Sequence, residues 1–128
     1  MSKPSVAILG ASADRAKFGN KSVRAHRRRG YDVYPVNPKA ETIEGLPAYP
    51  SLGDVPVSRL DRISVYLPPA VGLKLLSEIA GKEAREVWFN PGSETPDLLR
   101  KARELGVNAI AGCSIVDLGL SPDEFSDS

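Results

Sequence analysis

The chain has 128 residues, enough for one domain that buries roughly two-thirds of its unfolded surface without metals or disulfides. Lys plus Arg number 17 against 16 for Asp plus Glu, and the resulting net charge of +1 gives no general reason to expect binding to nucleic acid or to a membrane. The single cysteine, Cys113, excludes an internal disulfide, and the sequence shows neither a signal peptide nor the ~20-residue apolar run that crosses a bilayer. We therefore expect a cytoplasmic protein that meets any charged ligand at a local site.

The first stretch, residues 5–20, predicts a strand, a tight turn and the start of a helix. Val6–Leu9 is a short apolar run that suits a strand buried on both faces. Gly10-Ala11-Ser12 follows, and a glycine there lets the backbone turn sharply and approach another molecule closely. Asn20 is predicted to cap the next helix, whose free N–H groups would point back at the loop. This arrangement is typical of the anion-binding corner of a nucleotide-binding α/β domain.

A helix and a second strand are predicted next. The helix covers Lys21–Arg29 and ends at Gly30, where a C′ glycine is expected. The strand covers Asp32–Val36. It contains Pro35, which cannot donate to a ladder and therefore belongs at a strand end, an edge or a bulge.

The segment Lys39–Leu60 is rich in Pro and Gly, so it is predicted as ordered loop with at most one helical turn near Ser51–Val55. A third strand follows at Arg62–Leu67, and a helix over Ala70–Ala80 is predicted from apolar residues at helical spacing. The remaining predicted elements are a strand at Glu86–Phe89, a helix over Pro96–Leu105 capped by Ser93 or Thr95 and stopped at Gly106, a short strand at Val107–Ala111, and an acidic, frayed tail from Ser121.

This order of elements predicts a Rossmann-like, doubly wound α/β domain over residues 1–120. Its five-stranded sheet is expected to be mostly parallel, with right-handed crossovers and helices on both faces. Open sheets of this kind bind ligands at the carboxyl ends of their strands. Four loops lie there: Gly10-Ala11-Ser12, Val36-Asn37-Pro38, Leu67-Pro68-Pro69 and Asn90-Pro91-Gly92.

The glycine pattern by itself is weak evidence for a dinucleotide site. The usual fingerprint would place glycines at positions 10, 12 and 15, and the chain has Gly10, Ser12 and Arg15. Ser12 can still donate its hydroxyl to a phosphate. Arg15 and Lys17 are cations that could cover a pyrophosphate, although solvated loop charge explains either one equally well.

The end of the second strand favours a phosphorylated ribose. NAD enzymes usually carry a carboxylate there to hold the ribose hydroxyls. This chain has Asn37-Pro38-Lys39 instead, which offers an amide and a positive charge.

Several strings in the chain together resemble one family. They are GYDVYPVNP, the spaced set Ile43, Gly45, Tyr49, Ser51 and Leu52, the pair Pro68-Pro69, and Trp88 followed by Pro91-Gly92. From about Val6 to Cys113 the sequence is similar to the CoA-binding domain family of small bacterial proteins, which is related in fold to the N-terminal domain of the succinyl-CoA synthetase α subunit.

The resemblance implies a ligand, coenzyme A or acyl-CoA, and a set of contacts. Gly10, Ala11 and Ser12 would hold the pyrophosphate, Asn37, Pro38 and Lys39 the adenosine end, and Leu67, Pro68 and Pro69 the wall of the cleft. Asn90, Pro91 and Gly92 would lie on the pantetheine side, where family members usually have Gln in place of Asn90. His26 and Arg27 also depart from the apolar residues that are usual in the family.

Other candidates receive structural interpretations. His26 is predicted to be a helix-surface or packing residue, and Cys113 a buried thiol, although a cysteine after the fifth strand could also face the cleft. Trp88 and Phe89 should face opposite sides of their strand. Arg27-Arg28-Arg29 is interpreted as a solvated helix face, and the sequence offers no spaced metal ligands and no catalytic triad.

We therefore expect a stand-alone CoA or acyl-CoA binding protein, monomer or homodimer, without its own catalytic machinery and without nucleic-acid or membrane partners. The enzyme alternative is a nicotinamide-dependent oxidoreductase or a detached acyl-CoA ligase subunit that needs a partner chain. A third possibility is an interaction protein with a vestigial pocket.

Overall fold

Seven strands and five helices make up the computed structural model, which describes residues 3–128. The strands are β1 (Ser5–Leu9), β2 (Asp32–Val36), β3 (Thr42–Ile43), β4 (Leu46–Pro47), β5 (Arg59–Val65), β6 (Glu83–Phe89) and β7 (Ala109–Ala111). The helices are α1 (Phe18–Arg28), α2 (Pro69–Lys74), α3 (Leu76–Gly81), α4 (Pro96–Glu104) and α5 (Ser114–Asp117), with short 3₁₀ turns at Leu52–Asp54 and Pro122–Glu124.

The central sheet has the order β2-β1-β5-β6-β7, and all of its pairings are parallel. Side chains of β1 alternate between its two faces. Ala7 and Leu9 belong to the larger apolar core, with α3 and α4, while Val6 and Ile8 pack with Val23 of α1. The predicted Rossmann-like fold with helices on both faces is therefore confirmed.

Edge position explains the proline in β2. The strand pairs only with β1 inside the sheet, and Pro35 is buried there without needing to donate outward. On its outer side, Tyr49 N–H donates to the carbonyl of Pro35 at 2.9 Å, and Asn37 N–H donates to the carbonyl of Tyr49 at 2.9 Å. These bonds fix the segment after β4 beside the end of β2.

Several predicted boundaries were wrong. Asn20 does not cap α1, because the helix begins earlier, at Phe18, and Lys17 is its N-cap. Two strands start three residues before their predicted positions, β5 at Arg59 and β6 at Glu83, because polar residues extend the ladder beyond the apolar run. The helix predicted over Ala70–Ala80 is broken at Leu75 into α2 and α3.

The remaining boundary corrections concern short elements. The predicted loop Lys39–Leu60 contains the antiparallel pair β3–β4 and the first residues of β5. The fifth strand of the sheet starts only at Ala109. Thr95, rather than Ser93, caps α4 through a 3.1 Å bond from the N–H of Leu98, and Gly30 and Gly106 adopt the positive φ expected after helix ends.

The C-terminal segment packs against α1, in contrast to the frayed tail that its composition predicts. Phe125 is 4% exposed and joins a small apolar cluster with Ala25, Ile115 and Leu120. The guanidinium of Arg28 lies 4.4 Å from the centre of the Phe125 ring. Part of the arginine run therefore covers the tail rather than facing solvent alone.

Two aromatic residues of β6 lie on opposite faces, as predicted. Phe89 is fully buried in the larger core, whereas Trp88 is half-buried on the α1 side, where Arg62 stacks 4.9 Å from its ring centre. His26 of α1 is fully buried, so its interpretation as a packing residue is confirmed. Within residues 3–128, no helix has the length and apolarity that a membrane crossing requires.

Candidate functional site

Three cavities follow one another along the carboxyl edge of the sheet. We call them the β2-side cavity, of about 250 Å³, the central cavity, of about 370 Å³, and the β7-side cavity, of about 70 Å³. Gly10 and Leu67 line both of the first two, while Phe18, Tyr66 and Pro91 line both of the last two. The edge therefore carries one elongated cleft with three parts.

The β2-side cavity lies between the end of β2 and the α2–α3 region. Its lining is mainly apolar and consists of Leu9, Gly10, Val36, Asn37, Pro38, Pro50, Ser51, Leu52, Leu67, Val71, Leu75 and Glu78. A flat, largely apolar group with a few polar atoms, such as a nucleobase, suits a cavity of this shape and chemistry.

The central cavity is built where β1 meets α1. Its lining consists of Gly10, Lys17, Phe18, Gly19, Tyr66, Leu67, Pro68, Pro69, Pro91, Gly92 and Ser93. Gly10 has φ +86°, and a Cβ atom there would stand 2.6 Å from the carbonyl oxygen of Tyr66. A Cβ on Gly19 would stand only 2.1 Å from the carbonyl oxygen of Gly10. Two glycines therefore allow the helix and the first loop to touch through their backbones.

Gly19 performs the packing role of the fingerprint glycine that is missing at position 15. In the dinucleotide fingerprint, the last glycine permits close packing of the helix on the strand. Position 15 is Arg15 here, but the loop is longer and Gly19 supplies that contact. A second glycine just before the apolar face of the helix was the signal that could have revealed it.

The N-terminus of α1 opens into the central cavity without a capping side chain. Lys17 provides no side-chain cap, and the first turn contains no acidic residue. The first helical bonds run from the N–H groups of Asn20 and Lys21 to the carbonyl of Lys17, which leaves the N–H groups of Phe18 and Gly19 without an acceptor within residues 3–128. Free N–H groups, the helix dipole and the Lys17 ammonium together favour an anion such as a phosphate.

The loop before α1 is stabilised by its own polar groups. Ser12 Oγ accepts from the N–H of Asp14 at 3.0 Å, and the carbonyl of Ser12 accepts from Asn20 Nδ2 at 2.9 Å. The hydroxyl proton of Ser12 stays available to an incoming acceptor. Asn20 thus holds the loop from inside the helix, although it does not cap it.

Asn37 also holds the loop. Its Nδ2 donates to the carbonyl of Ala11 at 2.9 Å, and its Oδ1 accepts from the N–H groups of Lys39 and Ala40 at 2.8 and 3.0 Å. The side-chain amide is therefore engaged within the protein. What Asn37 presents to the β2-side cavity is the turn that it organises.

Most of the predicted site residues line the cleft, and a few do not. The residues found in the cavity linings are Gly10, Lys17, Asn37, Pro38, Leu67, Pro68, Pro69, Asn90, Pro91 and Gly92. Ala11 is buried beneath the loop, and Ser12 is half-buried within it. Lys39 is exposed outside the linings. Arg15 turns away from the cleft, with Nε 3.5 Å from Glu44 Oε2 and Nη1 3.2 Å from the carbonyl of Ser128.

Asn90 is a structural hub rather than an open side chain. It is 1% exposed, its Nδ2 donates to Ser64 Oγ and to the carbonyl of Val65, both at 2.9 Å, and its Oδ1 accepts from the N–H of Ser114 at 2.8 Å. These bonds tie the end of β6 to β5 and to the start of α5. The residue that departs from the family pattern therefore fixes the floor of the cleft.

Several lining residues were not among the predicted site residues. Pro50, Ser51 and Leu52 reach the cleft only because Tyr49 pairs with the end of β2, a contact that hydrophobic periodicity does not reveal. Glu78 lines the same cavity while accepting from the N–H of Gly53 at 3.0 Å. Among residues 3–128, no His, Cys, Asp and Glu side chains lie close enough together to bind a metal ion.

A parallel Rossmann-like sheet with an uncapped helix N-terminus between two apolar cavities is typical of nucleotide-binding domains. A family model described as "CoA binding domain" matches residues 4–119. The chain belongs to this CoA-binding domain family, and the resemblance noted in the sequence is confirmed.

Similar proteins include both small proteins and large enzymes. A conserved hypothetical protein from Pyrococcus furiosus shares 32% sequence identity with a TM-score of 0.79, over 91% of this chain and 99% of that one. A protein from Thermus thermophilus gives 30% identity and a TM-score of 0.82, over 90% of this chain and 87% of that one. The similar proteins therefore come from organisms as different as Pyrococcus furiosus and Thermus thermophilus.

The similarity to enzymes covers only a small part of each enzyme's length. The ADP-forming acetate–CoA ligase I of Archaeoglobus fulgidus is 35% identical over 78 residues, which are 61% of this chain and 11% of the ligase. A dinucleotide-forming acetyl-coenzyme A synthetase 1 from Ca. Korarchaeum cryptofilum gives 26% identity and a TM-score of 0.70, over 83% of this chain and 25% of that one. The matched region thus spans about a tenth of the length of the curated ligase.

Proposed function

We propose that the protein binds CoA or acyl-CoA as a module without catalytic machinery of its own. The observation that carries the proposal is the uncapped N-terminus of α1, which opens with Lys17 into the central cavity between two further cavities. The pyrophosphate would lie at this N-terminus, the adenosine end in the β2-side cavity, and the pantetheine arm over Pro91 and Gly92 towards β7. Family membership favours CoA over a nicotinamide cofactor.

The position of Lys39 supports recognition of the 3′-phosphate. It follows the turn that Asn37 organises at the mouth of the β2-side cavity, where no carboxylate ends β2. A lysine side chain there can reach a phosphate on the ribose as a flexible point charge. The open volumes of the two larger cavities argue against a vestigial pocket. A single unpaired cysteine fits a reducing compartment such as the cytoplasm.

Calorimetric titration with CoA, dephospho-CoA and NAD tests the proposal. We expect affinity to fall in that order, and we expect Lys39→Gln to weaken CoA binding by about tenfold, the effect of one lost charge-assisted contact. Dephospho-CoA should bind the variant and the wild type equally. Lys74→Gln, on the exposed end of α2, is the matched control for a lost positive charge. No binding of CoA at millimolar concentration would refute the proposal.

A detached ligase subunit is the second candidate, and the similarity to acetate–CoA ligase and to acetyl-coenzyme A synthetase favours it. In that case the chain would bind a second polypeptide and become part of an enzyme. Affinity purification of the tagged protein from its native cells tests this. Acyl-CoA ligase activity in the purified complex, but in neither chain alone, would support the candidate, and recovery of the chain without a partner would count against it.

A further inference from the structure

The β7-side cavity lies where the far end of a ligand in the cleft would arrive. Its lining consists of Phe18, Tyr66, Asn90, Pro91 and Cys113. Three of these also line the central cavity, so the two spaces share a wall at the end of β5 and β6. In the proposed arrangement the pantetheine arm passes over Pro91, and its sulfur therefore points towards this cavity.

The polar atoms beside the cavity satisfy one another. Ser114 Oγ donates to Asn90 Oδ1 at 3.0 Å, so it accepts from the hydroxyls of Ser64, at 2.7 Å, and Tyr66, at 3.0 Å. The Asn90 amide hydrogens are used by Ser64 Oγ and a backbone carbonyl. Burial raises the pKa of the Tyr66 phenol, which keeps it neutral.

The cavity is consequently lined by two aromatic residues, a proline, a cysteine and Asn90, whose amide is already engaged. No lining residue carries a positive charge that could pair with a carboxylate. Lys17 lines the central cavity, on the side of the proposed pyrophosphate, and is not part of the β7-side lining. A carboxylate in the β7-side cavity would lose its hydration without gaining an ionic partner, which is costly.

The size of the cavity limits the group that it can hold. On a scale where a cavity of roughly 150 Å³ holds benzene, with its six heavy atoms, about 70 Å³ holds roughly three heavy atoms. An acetyl group has that size. A chain of eight carbons would have to leave the cavity past Phe18, which is 58% exposed at its mouth.

We infer that the β7-side cavity binds the acyl group of a CoA thioester and selects short, uncharged acyl groups over long or carboxylated ones. This inference rests on the proposed function, because the placement of CoA brings the thioester to the cavity. Binding needs no covalent step. Specificity comes from the volume of the cavity and from the absence of a cation in its lining.

Competition titrations with CoA, acetyl-CoA, octanoyl-CoA and succinyl-CoA, under reducing conditions, measure the effect of the acyl group. We expect acetyl-CoA to bind roughly three- to fivefold more tightly than CoA, as burial of one methyl group predicts. Octanoyl-CoA and succinyl-CoA should bind at least tenfold more weakly than acetyl-CoA.

Two substitutions at one position change the cavity in opposite directions. Cys113→Leu fills it and should abolish the preference for acetyl-CoA over CoA. Cys113→Ala enlarges it and should narrow the difference between octanoyl-CoA and acetyl-CoA. Val116→Ala is the matched control, because Val116 is 59% exposed on α5 and outside the cavity lining.

The outcomes separate the inference from the proposed function. If CoA binds but the four ligands have equal affinities, or if Cys113→Leu leaves the acetyl preference unchanged, the acyl site is refuted while CoA binding stands. If CoA itself does not bind, both are refuted. The expected ranking, together with its loss in Cys113→Leu alone, supports both.

Discussion

At the scale of single residues, the cleft depends on two glycines that touch. Gly10 and Gly19 bring the backbone of the first loop against the start of α1, and neither position has room for a Cβ. This contact aims the free N–H groups of Phe18 and Gly19 at the central cavity. The proposed anion site is thus a product of backbone packing more than of charged side chains.

Replacing Gly19 by alanine should destabilise the fold, because the new Cβ would meet the carbonyl oxygen of Gly10 at 2.1 Å. We expect the free energy of unfolding to fall by about 1–3 kcal/mol, the range for overpacking a well-packed site. Urea denaturation measures it. Gly81→Ala is the control, since nothing lies within 4 Å of its Cβ position and its stability should not fall. Equal stability of Gly19→Ala and wild type would contradict the packing described here.

His26 makes stability depend on pH. Burial lowers the pKa of His26 from 6.5 to about 4. The nearby charge of Arg62 adds to this shift, whereas the carbonyl of Ser22 and the charge of Asp117 oppose it. Nδ1 lies 2.8 Å from the carbonyl of Ser22, so it donates there, and Nε2 accepts from Arg62 Nη1 at 3.5 Å. The imidazole is therefore held neutral beside a guanidinium.

The sign of the pH effect follows from the lowered pKa. Between pH 6.5 and about 4 the unfolded chain binds a proton at His26 that the folded protein does not, so stability falls as the pH falls through this window. The full effect is on the order of 3 kcal/mol. Urea denaturation of wild type and His26→Gln from pH 7 to 4 should show a smaller loss in the variant. Parallel curves would mean that His26 does not account for the effect.

At the scale of elements, the sequence predicted where strands end better than where they begin. Gly10, Asn37 and Asn90 follow the strands directly and mark their carboxyl ends, while Arg59 and Glu83 are polar starting residues that apolar runs do not include. Since the cleft is built from the carboxyl ends, most of its loops were predicted correctly. The break at Leu75 lies within continuous apolar spacing, so periodicity could not show it.

The cap of α4 is an element-level prediction. Thr95 Oγ1 accepts from the N–H of Leu98 at 3.1 Å, which satisfies one of the free donors of the first turn. Thr95→Ala should lower the free energy of unfolding by about 1 kcal/mol, and Thr95→Ser should retain most of it. Chemical denaturation of the two variants provides the comparison. Equal losses in both would show that the methyl group, and not the hydroxyl, stabilises the helix.

At the scale of the whole molecule, the last residues complete the layer over α1. Phe125 fills a gap between α1 and α5, and Ser121 begins a 3₁₀ turn with reciprocal bonds to Glu124. The acidic sequence SPDEFSDS does not reveal that this segment packs on α1, because a single aromatic residue among polar ones shows no periodicity. Composition therefore predicts the charge of such a segment but not its packing.

Phe125→Ala should lower the free energy of unfolding by about 2–3 kcal/mol, near the low end for a truncated aromatic residue because the cluster is small. Asp123→Ala, in the same turn and exposed, should change it by less than about 0.5 kcal/mol. Thermal unfolding of both variants gives the comparison. An unchanged Phe125→Ala variant would restore the view of a frayed tail.

At the β2 edge of the sheet, the backbone of Tyr49 pairs with the carbonyl of Pro35 and the N–H of Asn37. The strand at the opposite edge, β7, is only 3 residues long. Neither edge strand therefore exposes a long row of unpaired backbone N–H and C=O groups with which another polypeptide could pair as an additional strand. A sheet finished in this way resists edge-to-edge aggregation. Such a domain can occur alone or joined to other domains without forming a shared sheet with neighbouring polypeptides.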